Sequence, residues 1–223
     1  MNLIRPRLLA RALAFAVVAL TLAVPAYLPA EQETDTDLEQ RTRVADLLKF
    51  LDARPGALIA DVGAGDGFYT VRIARAVASG GRAVAVDISE PALNALRERV
   101  TREGVTNVDV ILGALDDPRL AVAQFDAVLI HNAYHEMAEH ESMLAHIRDA
   151  LKPDGRLVVV EPMHDTSRGL TREQQVAHHD IAADIVEGEL RAAGFEVVER
   201  SDEFVKFTGA GGGFWLIVAR RAG

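Results

Sequence analysis

The sequence contains no cysteine among its 223 residues. That excludes disulfides, a thiolate nucleophile, a zinc–thiolate site and the lipid-modified cysteine of a lipoprotein. Basic residues are also scarce: 24 Lys and Arg stand against 33 Asp and Glu, for a formal charge of −9. Such a field repels a phosphate backbone, so nucleic acid is not an expected partner. Low-hydrophobicity composition is absent too. With 49% hydrophobic and 26% charged residues the chain can bury a sizeable core, which excludes disorder for most of it. At this length one domain, or one domain and a short appendage, is expected rather than a repeat array.

Residues 1–30 supply the appendage. Arg5, Arg7 and Arg11 precede an uncharged stretch from Ala12 to Ala30, whose middle, Leu13 to Val24, is apolar apart from Thr21. A basic start, an apolar middle and then Pro25 with small residues is the layout of a secretory signal. Val24-Pro25-Ala26 and Leu28-Pro29-Ala30 both offer a small residue at a cut. An uncleaved anchor is the alternative, because about 19 uncharged residues just span a bilayer, although Pro25 and Pro29 break its outer end. Either reading sends the remaining chain out of the cytoplasm, to the periplasm or to a membrane-anchored position, since basic residues stay inside. Membrane contact is expected only through this segment. Its removal takes away three arginines and no acids, leaving −12. Residues 31–37 are polar and read as a linker, and residues 38–223 as the domain.

Val44, Leu47, Leu48 and Leu51 recur at helical spacing, which predicts an amphipathic helix over about 38–52, ended by Arg54-Pro55-Gly56. Short apolar runs then alternate with helical patterns. Strands are expected at Leu58–Val62, Ala83–Val86, Val108–Leu112, Ala127–Ile130 and Leu157–Val160, each followed by a helix or helix-like segment. Strands that lose polar alternation are buried on both faces, so the pattern predicts a doubly wound, mostly parallel α/β sheet. Ser89 with Pro91 reads as a helix start, and Lys152-Pro153-Asp154-Gly155 as a tight turn. A helix is expected over 178–193, ended by Gly194. Glu196–Glu199 and Phe214–Ala219 then form a C-terminal antiparallel hairpin, giving seven strands in all. The glycines at 209–213 fit its loop and are assigned no phosphate.

The chemistry is concentrated in Asp61-Val62-Gly63-Ala64-Gly65-Asp66-Gly67-Phe68, at the end of the first strand and the start of a helix. Glycines there let the backbone turn sharply and approach a ligand that a Cβ would exclude. A dinucleotide fingerprint, Gly-x-Gly-x-x-Gly, needs its third glycine at position 68, where this chain has Phe68. Asp87, at the end of the second strand, is placed where a carboxylate can take both hydroxyls of a ribose.

These residues resemble the class I S-adenosylmethionine-dependent methyltransferases, from about Leu47 to the C-terminus. Ala60–Thr70 is similar to that family's first motif and Val84–Asp87 to its second. Gln124–Ile130 is similar to its fourth-strand motif, and Leu151–Leu157 to its Leu-Lys-Pro-Gly-Gly turn. Within the family, Gly65–Thr70, His135-Glu136 and Ala192–Phe195 are most similar to exported methyltransferases. The resemblance implies a seven-stranded Rossmann-like fold and S-adenosyl-L-methionine as cofactor. It also implies that Gly63, Gly65 and Gly67 pass under the methionine part, with Asp61 placing its ammonium group and Asp87 holding the ribose. Gly113 and Ala114, with Asp116, would border the adenine, although Leu115 replaces the usual acid. His131 and Asn132 would lie where cofactor and acceptor meet.

Methyl transfer needs a base only when the acceptor carries a proton near neutrality; for a hydroxyl, His135 is the candidate catalytic residue, the alternative being a histidine that merely lines the pocket. Metal ligation is not expected. His135-Glu136 is followed by a histidine at 140 rather than 139, so His-Glu-x-x-His is not met, and His131 and His135 lie four apart on what starts as a loop. Glu136, Glu139 and His140 read as cap or loop polarity, and His178-His179-Asp180 as the start of a helix. Asn132-Ala133-Tyr134 lacks both prolines of the Asn-Pro-Pro-Tyr sequence of nucleic-acid amino methyltransferases, so a small-molecule methyl acceptor is expected. Two other classes stay open: a non-catalytic module that binds S-adenosylmethionine or another nucleoside, and an NAD-dependent oxidoreductase, which Phe68 disfavours.

Overall fold

The computed structural model of the chain describes residues 35–209 and 211–222. The expected signal or anchor at residues 1–30 lies outside the described residues, as does the linker up to residue 34. The linker's last three residues already belong to a helix, α1 (Asp35–Arg41), followed by α2 (Val44–Phe50). The single helix expected over 38–52 is therefore two. Thr42 Oγ1 donates back to the Leu38 carbonyl at 2.6 Å, and Arg43 takes a left-handed conformation with φ 54°. A hydroxyl bonded back into the preceding turn bends a helix. The break lets Arg43 Nη1 reach the Phe204 carbonyl at 2.8 Å.

Seven strands follow: β1 (Leu58–Val62), β2 (Arg82–Asp87), β3 (Val108–Leu112), β4 (Phe125–His131), β5 (Leu151–His164), β6 (Phe195–Lys206) and β7 (Gly212–Arg221). They form one sheet in the order β3-β2-β1-β4-β5-β7-β6. The first five are parallel and β7 runs antiparallel between β5 and β6. This is the doubly wound sheet with a terminal hairpin that the alternation of apolar runs predicts.

The crossings differ in detail from expectation. Helices α3 (Phe68–Ala76), α4 (Glu90–Arg102) and α5 (His140–Ala150) follow β1, β2 and β4, but residues 113–124, between β3 and β4, contain no helix. The Lys152–Gly155 turn is a bulge inside β5, where pairing with β4 jumps from Leu151 to Arg156. The helix expected over 178–193 is shorter, α7 (Ala183–Ala192), and an additional helix, α6 (Arg172–Ala177), precedes it with Thr171 and Gln174 forming a reciprocal capping box. His178, His179 and Asp180 thus lie on the turn leaving α6, not on the start of a helix.

Alternation along the strands divides the core into two layers. Val62, Val86 and Ile130 pack with Leu144 and Ile147 of α5 and Val186 and Leu190 of α7. Ile59, Ala83, Leu129 and Val158 pack with Leu47 of α2 and Ile73 of α3. Each such buried Val, Leu or Ile side chain contributes roughly 1.5–3 kcal/mol, which holds the strand tips in place. Among the described residues no helix is long and apolar enough to cross a membrane.

Candidate functional site

In a doubly wound sheet, crossovers leave on opposite sides of the strand where the order reverses, and a crevice opens beyond the carboxyl ends. Here the reversal lies between β1 and β4. A cavity of about 250 Å³ opens at this point.

Its floor is the glycine bend after β1. Gly63 and Ala64 both donate backbone N–H to the Val86 carbonyl, at 2.9 and 3.0 Å, which ties the bend to the tip of β2. Gly63 has φ +78°, and a Cβ there would meet the Ala133 Cβ at 2.4 Å; Gly65 has φ +54°, and its Cβ position is open space. One glycine is demanded by packing, the other leaves room for a ligand. Both line the cavity. Gly67 (φ +83°) does not: its Cβ position is taken by Leu96 Cγ at 2.7 Å, so it serves the packing of α3 against α4. Phe68 lies on the far side, its ring 3.8 Å beneath the Arg72 guanidinium, and leaves the bend clear.

Asp87 faces the cavity from the tip of β2. Its Oδ2 accepts from the Gly65 amide at 2.9 Å and its Oδ1 from the Ser89 amide at 2.8 Å. Each carboxylate oxygen keeps a second lone pair for an incoming hydroxyl. Asp61 lies behind the wall, 2% exposed, accepting from the Thr70 hydroxyl at 2.6 Å. Burial pushes its pKa up to about 6, and the charge of Asp87 adds to the rise while the Thr70 hydrogen bond opposes it.

Ile88 and Leu115, 56% and 64% exposed, line the same cavity, as does Ala114. Apolar side chains in a cavity wall suit a flat apolar ring. Gly113 is not in the wall, because Val86 Cγ1 stands 2.9 Å from its Cβ position; Asp116 is exposed and also outside it. Asn132 lines the cavity in a left-handed conformation, φ 53°, which Asn tolerates.

His131 belongs to the opposite face of the β4 tip. Its Nε2 pairs with the Tyr69 hydroxyl at 2.8 Å and its ring lies against Phe214, with centroids 5.3 Å apart. Desolvation pushes its pKa down to about 3, so it is neutral at physiological pH. Strand alternation accounts for this, since Ile130 takes the cavity-side layer.

His135 lies on a short 3-10 turn, Tyr134–Glu136, and is buried beside the cavity rather than in its wall. Its Nδ1 is 2.5 Å from Oε2 of Glu161 on β5. The other oxygen of Glu161 accepts the amides of Ala133 and Tyr134 at 2.6 and 2.7 Å. Burial opposes charge on His135, but the hydrogen bond to Glu161 and the charges of Glu161, Glu136 and Asp180 outweigh it, and its pKa lies above the ordinary value. Glu136, next in sequence, lines the cavity with Met137 and Met143. Sequence reasoning missed Glu161 as the orienting carboxylate. The available signal was a charged residue directly after the buried run Leu157–Val160.

The glycine bend, the acid on the adjacent strand tip and the apolar pair beyond it all line one cavity. Residues 59–155 match the methyltransferase domain family. Over those residues the chain is similar to methyltransferases, and its sheet is that of the S-adenosylmethionine-dependent members. The domain is 32% identical over 117 residues to the nocamycin O-methyltransferase of Saccharothrix syringae, covering 52% of this chain and 42% of that protein. It is 33% identical over 109 residues to a ubiquinone/menaquinone biosynthesis C-methyltransferase of Hydrogenovibrio crunogenus, covering 48% and 43%. The chain thus spans less than half the length of these two relatives. A solved S-adenosylmethionine-dependent methyltransferase from Aquifex aeolicus superposes with a TM-score of 0.67 at 21% identity, over 84% of this chain and 98% of that one, and shares the methyltransferase fold.

Proposed function

We propose that the protein transfers a methyl group from S-adenosylmethionine to a small-molecule acceptor held at this cavity. The observation that carries the reading is charge: among the described residues the wall contains two carboxylates, Asp87 and Glu136, and no Lys or Arg, and Asp61 lies buried behind it. A sulfonium with an ammonium group relieves that negative potential, whereas the pyrophosphate of NAD would add to it. Asp87 would take the ribose hydroxyls, Ile88 and Leu115 the adenine faces, and the Gly63–Gly65 bend the methionine end.

The transfer is an in-line displacement with a good leaving group, so positioning and water exclusion carry most of the catalysis, worth roughly 7–11 kcal/mol in well-oriented systems. For a hydroxyl acceptor the proton would leave on the side of the cavity that Glu136 lines, next to the buried His135 and Glu161. The names of two relatives, an O- and a C-methyltransferase, support a small molecule as acceptor class. The test is label transfer from methyl-labelled S-adenosylmethionine into small-molecule extracts. Labelled product that disappears in Asp87→Ala supports the reading; binding of the donor without product supports a binding module instead.

Export is the second element of the proposal, resting on the arginines and the apolar stretch of residues 1–30. An alkaline-phosphatase fusion to the C-terminus is expected to be active, and an inactive fusion would assign the domain to the cytoplasm.

A further inference from the structure

The turn leaving α6 brings His179 to the 3-10 turn that carries His135 and Glu136. The ligand atoms of these three residues all lie within 4.8 Å of one another. His135 Nε2 and His179 Nδ1 are each 3.8 Å from Glu136 Oε1, and the two imidazole rings stand nearly perpendicular with centroids 5.7 Å apart. We propose that His135, Glu136 and His179 bind a divalent transition-metal ion of the zinc class.

Three features distinguish this cluster from surface polarity. First, the donor set is two imidazoles and one carboxylate, which suits zinc and its neighbours and leaves one tetrahedral position for an outside oxygen. Second, His135 is pre-oriented. Its Nδ1 is engaged by the fully buried Glu161, whose other oxygen is occupied by two backbone amides. A carboxyl oxygen accepting from Nδ1–H leaves Nε2 with its lone pair directed at Glu136, the arrangement that orients metal-binding histidines. Third, the adjustment needed is small and falls on mobile groups. A tetrahedral ion with bonds of about 2.0–2.1 Å sets its donors about 3.3 Å apart. Glu136 and His179 have side chains 67% and 77% exposed and can close the remaining distance, while His135, at 3%, stays fixed.

Position gives the ion a use. Glu136 also lines the cofactor cavity, so the ion would lie at its edge. A hydroxyl acceptor bound through its oxygen would lose its proton to solvent water. The C–O bond then forms as the methyl C–S bond breaks, the electron pair staying on sulfur. His135 is in this account a ligand rather than the proton acceptor itself. That use rests on the methyl-transfer reading; the binding does not.

The test uses the untagged full chain, freed of metal by chelator dialysis. It is titrated with Zn²⁺ by calorimetry and with Co²⁺ by visible absorption. One equivalent is expected to bind, with the intense bands of four-coordinate Co²⁺. His179→Ala, at an exposed turn that tolerates truncation, should weaken binding at least tenfold, and Glu161→Gln by about 10–100-fold. His146→Ala, a half-exposed histidine remote from the cluster, should bind as the parent does. The proposal is overturned if neither ion binds saturably, in which case His135 is simply an imidazolium between Glu161 and Glu136. It is equally overturned if His179→Ala binds as tightly as His146→Ala. S-adenosylhomocysteine affinity is measured on the same samples and should change less than twofold in His179→Ala; failure of the parent to bind it would defeat the methyl-transfer reading while leaving the metal result intact.

Discussion

The tip of β4 carries two histidines four residues apart in opposite surroundings. His131 is flanked by Tyr69 and Phe214, with no carboxylate among the described residues hydrogen-bonded to it, and desolvation keeps it neutral. His135, across the strand end, is held by the buried Glu161 beside Glu136, and its pKa is raised. Residue type and sequence position near a strand end therefore say little about role. What differs is which layer of the sheet the strand's alternation assigns to each ring, and whether a carboxylate waits there. One side of the tip packs aromatic rings together, and the other places an imidazole between carboxylates.

That division can be broken by substitution. The largest effect is expected at Asp87→Ala, which removes two acceptor oxygens from the cavity and frees the Gly65 and Ser89 amides. S-adenosylhomocysteine affinity should fall at least ~100-fold by calorimetry, given about 1.5–3 kcal/mol for each hydrogen bond to a charged group. Full affinity in this variant would leave the cavity without its ribose site.

Gly63→Ala should cost roughly 3 kcal/mol of stability, combining a left-handed backbone with a clash against Ala133. Gly65→Ala carries the left-handed penalty of roughly 1–2 kcal/mol without the clash, so it should cost less stability than Gly63→Ala yet reduce cofactor affinity, because its Cβ enters open cavity space. Chemical denaturation and calorimetry on the two variants separate the two glycines; equal loss of stability would merge them.

Asp61 sharpens the comparison through pH. A carboxyl whose folded pKa is raised to about 6 contributes stability that is present below its unfolded value and is lost as pH rises through 6. The unliganded protein should thus lose ~2–3 kcal/mol between about pH 4 and 6 from this group. An ammonium-bearing ligand favours the ionised form, so S-adenosylmethionine should bind more tightly as pH rises from 5 to 7, then level off. A flat or falling profile would place the ammonium elsewhere.

The smallest effect on ligands is expected at His131→Leu. It deprives the Tyr69 hydroxyl of a partner and should lower stability by roughly 1–3 kcal/mol without changing cofactor affinity. Loss of cofactor binding at unchanged stability would move His131 back to the ligand side.

Much of the fold was legible in the sequence because the parallel strands read as short apolar runs separated by helical patterns; β1 and β3 coincide with their expected limits. The glycine bend and Asp87 were legible for a related reason: a left-handed turn at a strand end demands glycine, and a carboxylate at the next strand tip has one side to face. The remainder depended on distant contacts. The break between α1 and α2 comes with a bond from Arg43 to the distant Phe204 carbonyl, and the bulge at Lys152–Gly155 with the pairing of β5 and β4. His131 was misplaced by one step of alternation. Glu161 and His179 come to His135 from β5 and from the turn after α6, and no local spacing encodes that meeting.

The central claim is that the cavity at the β1/β4 switch accepts an adenosyl cation and rejects an anionic dinucleotide. Its most direct test is calorimetric titration of the full chain with S-adenosylmethionine, S-adenosylhomocysteine and NAD. The account predicts one site per chain that binds the first two with micromolar or tighter affinity and gives no heat with NAD. Saturable binding of NAD with none of the sulfur nucleosides would contradict it.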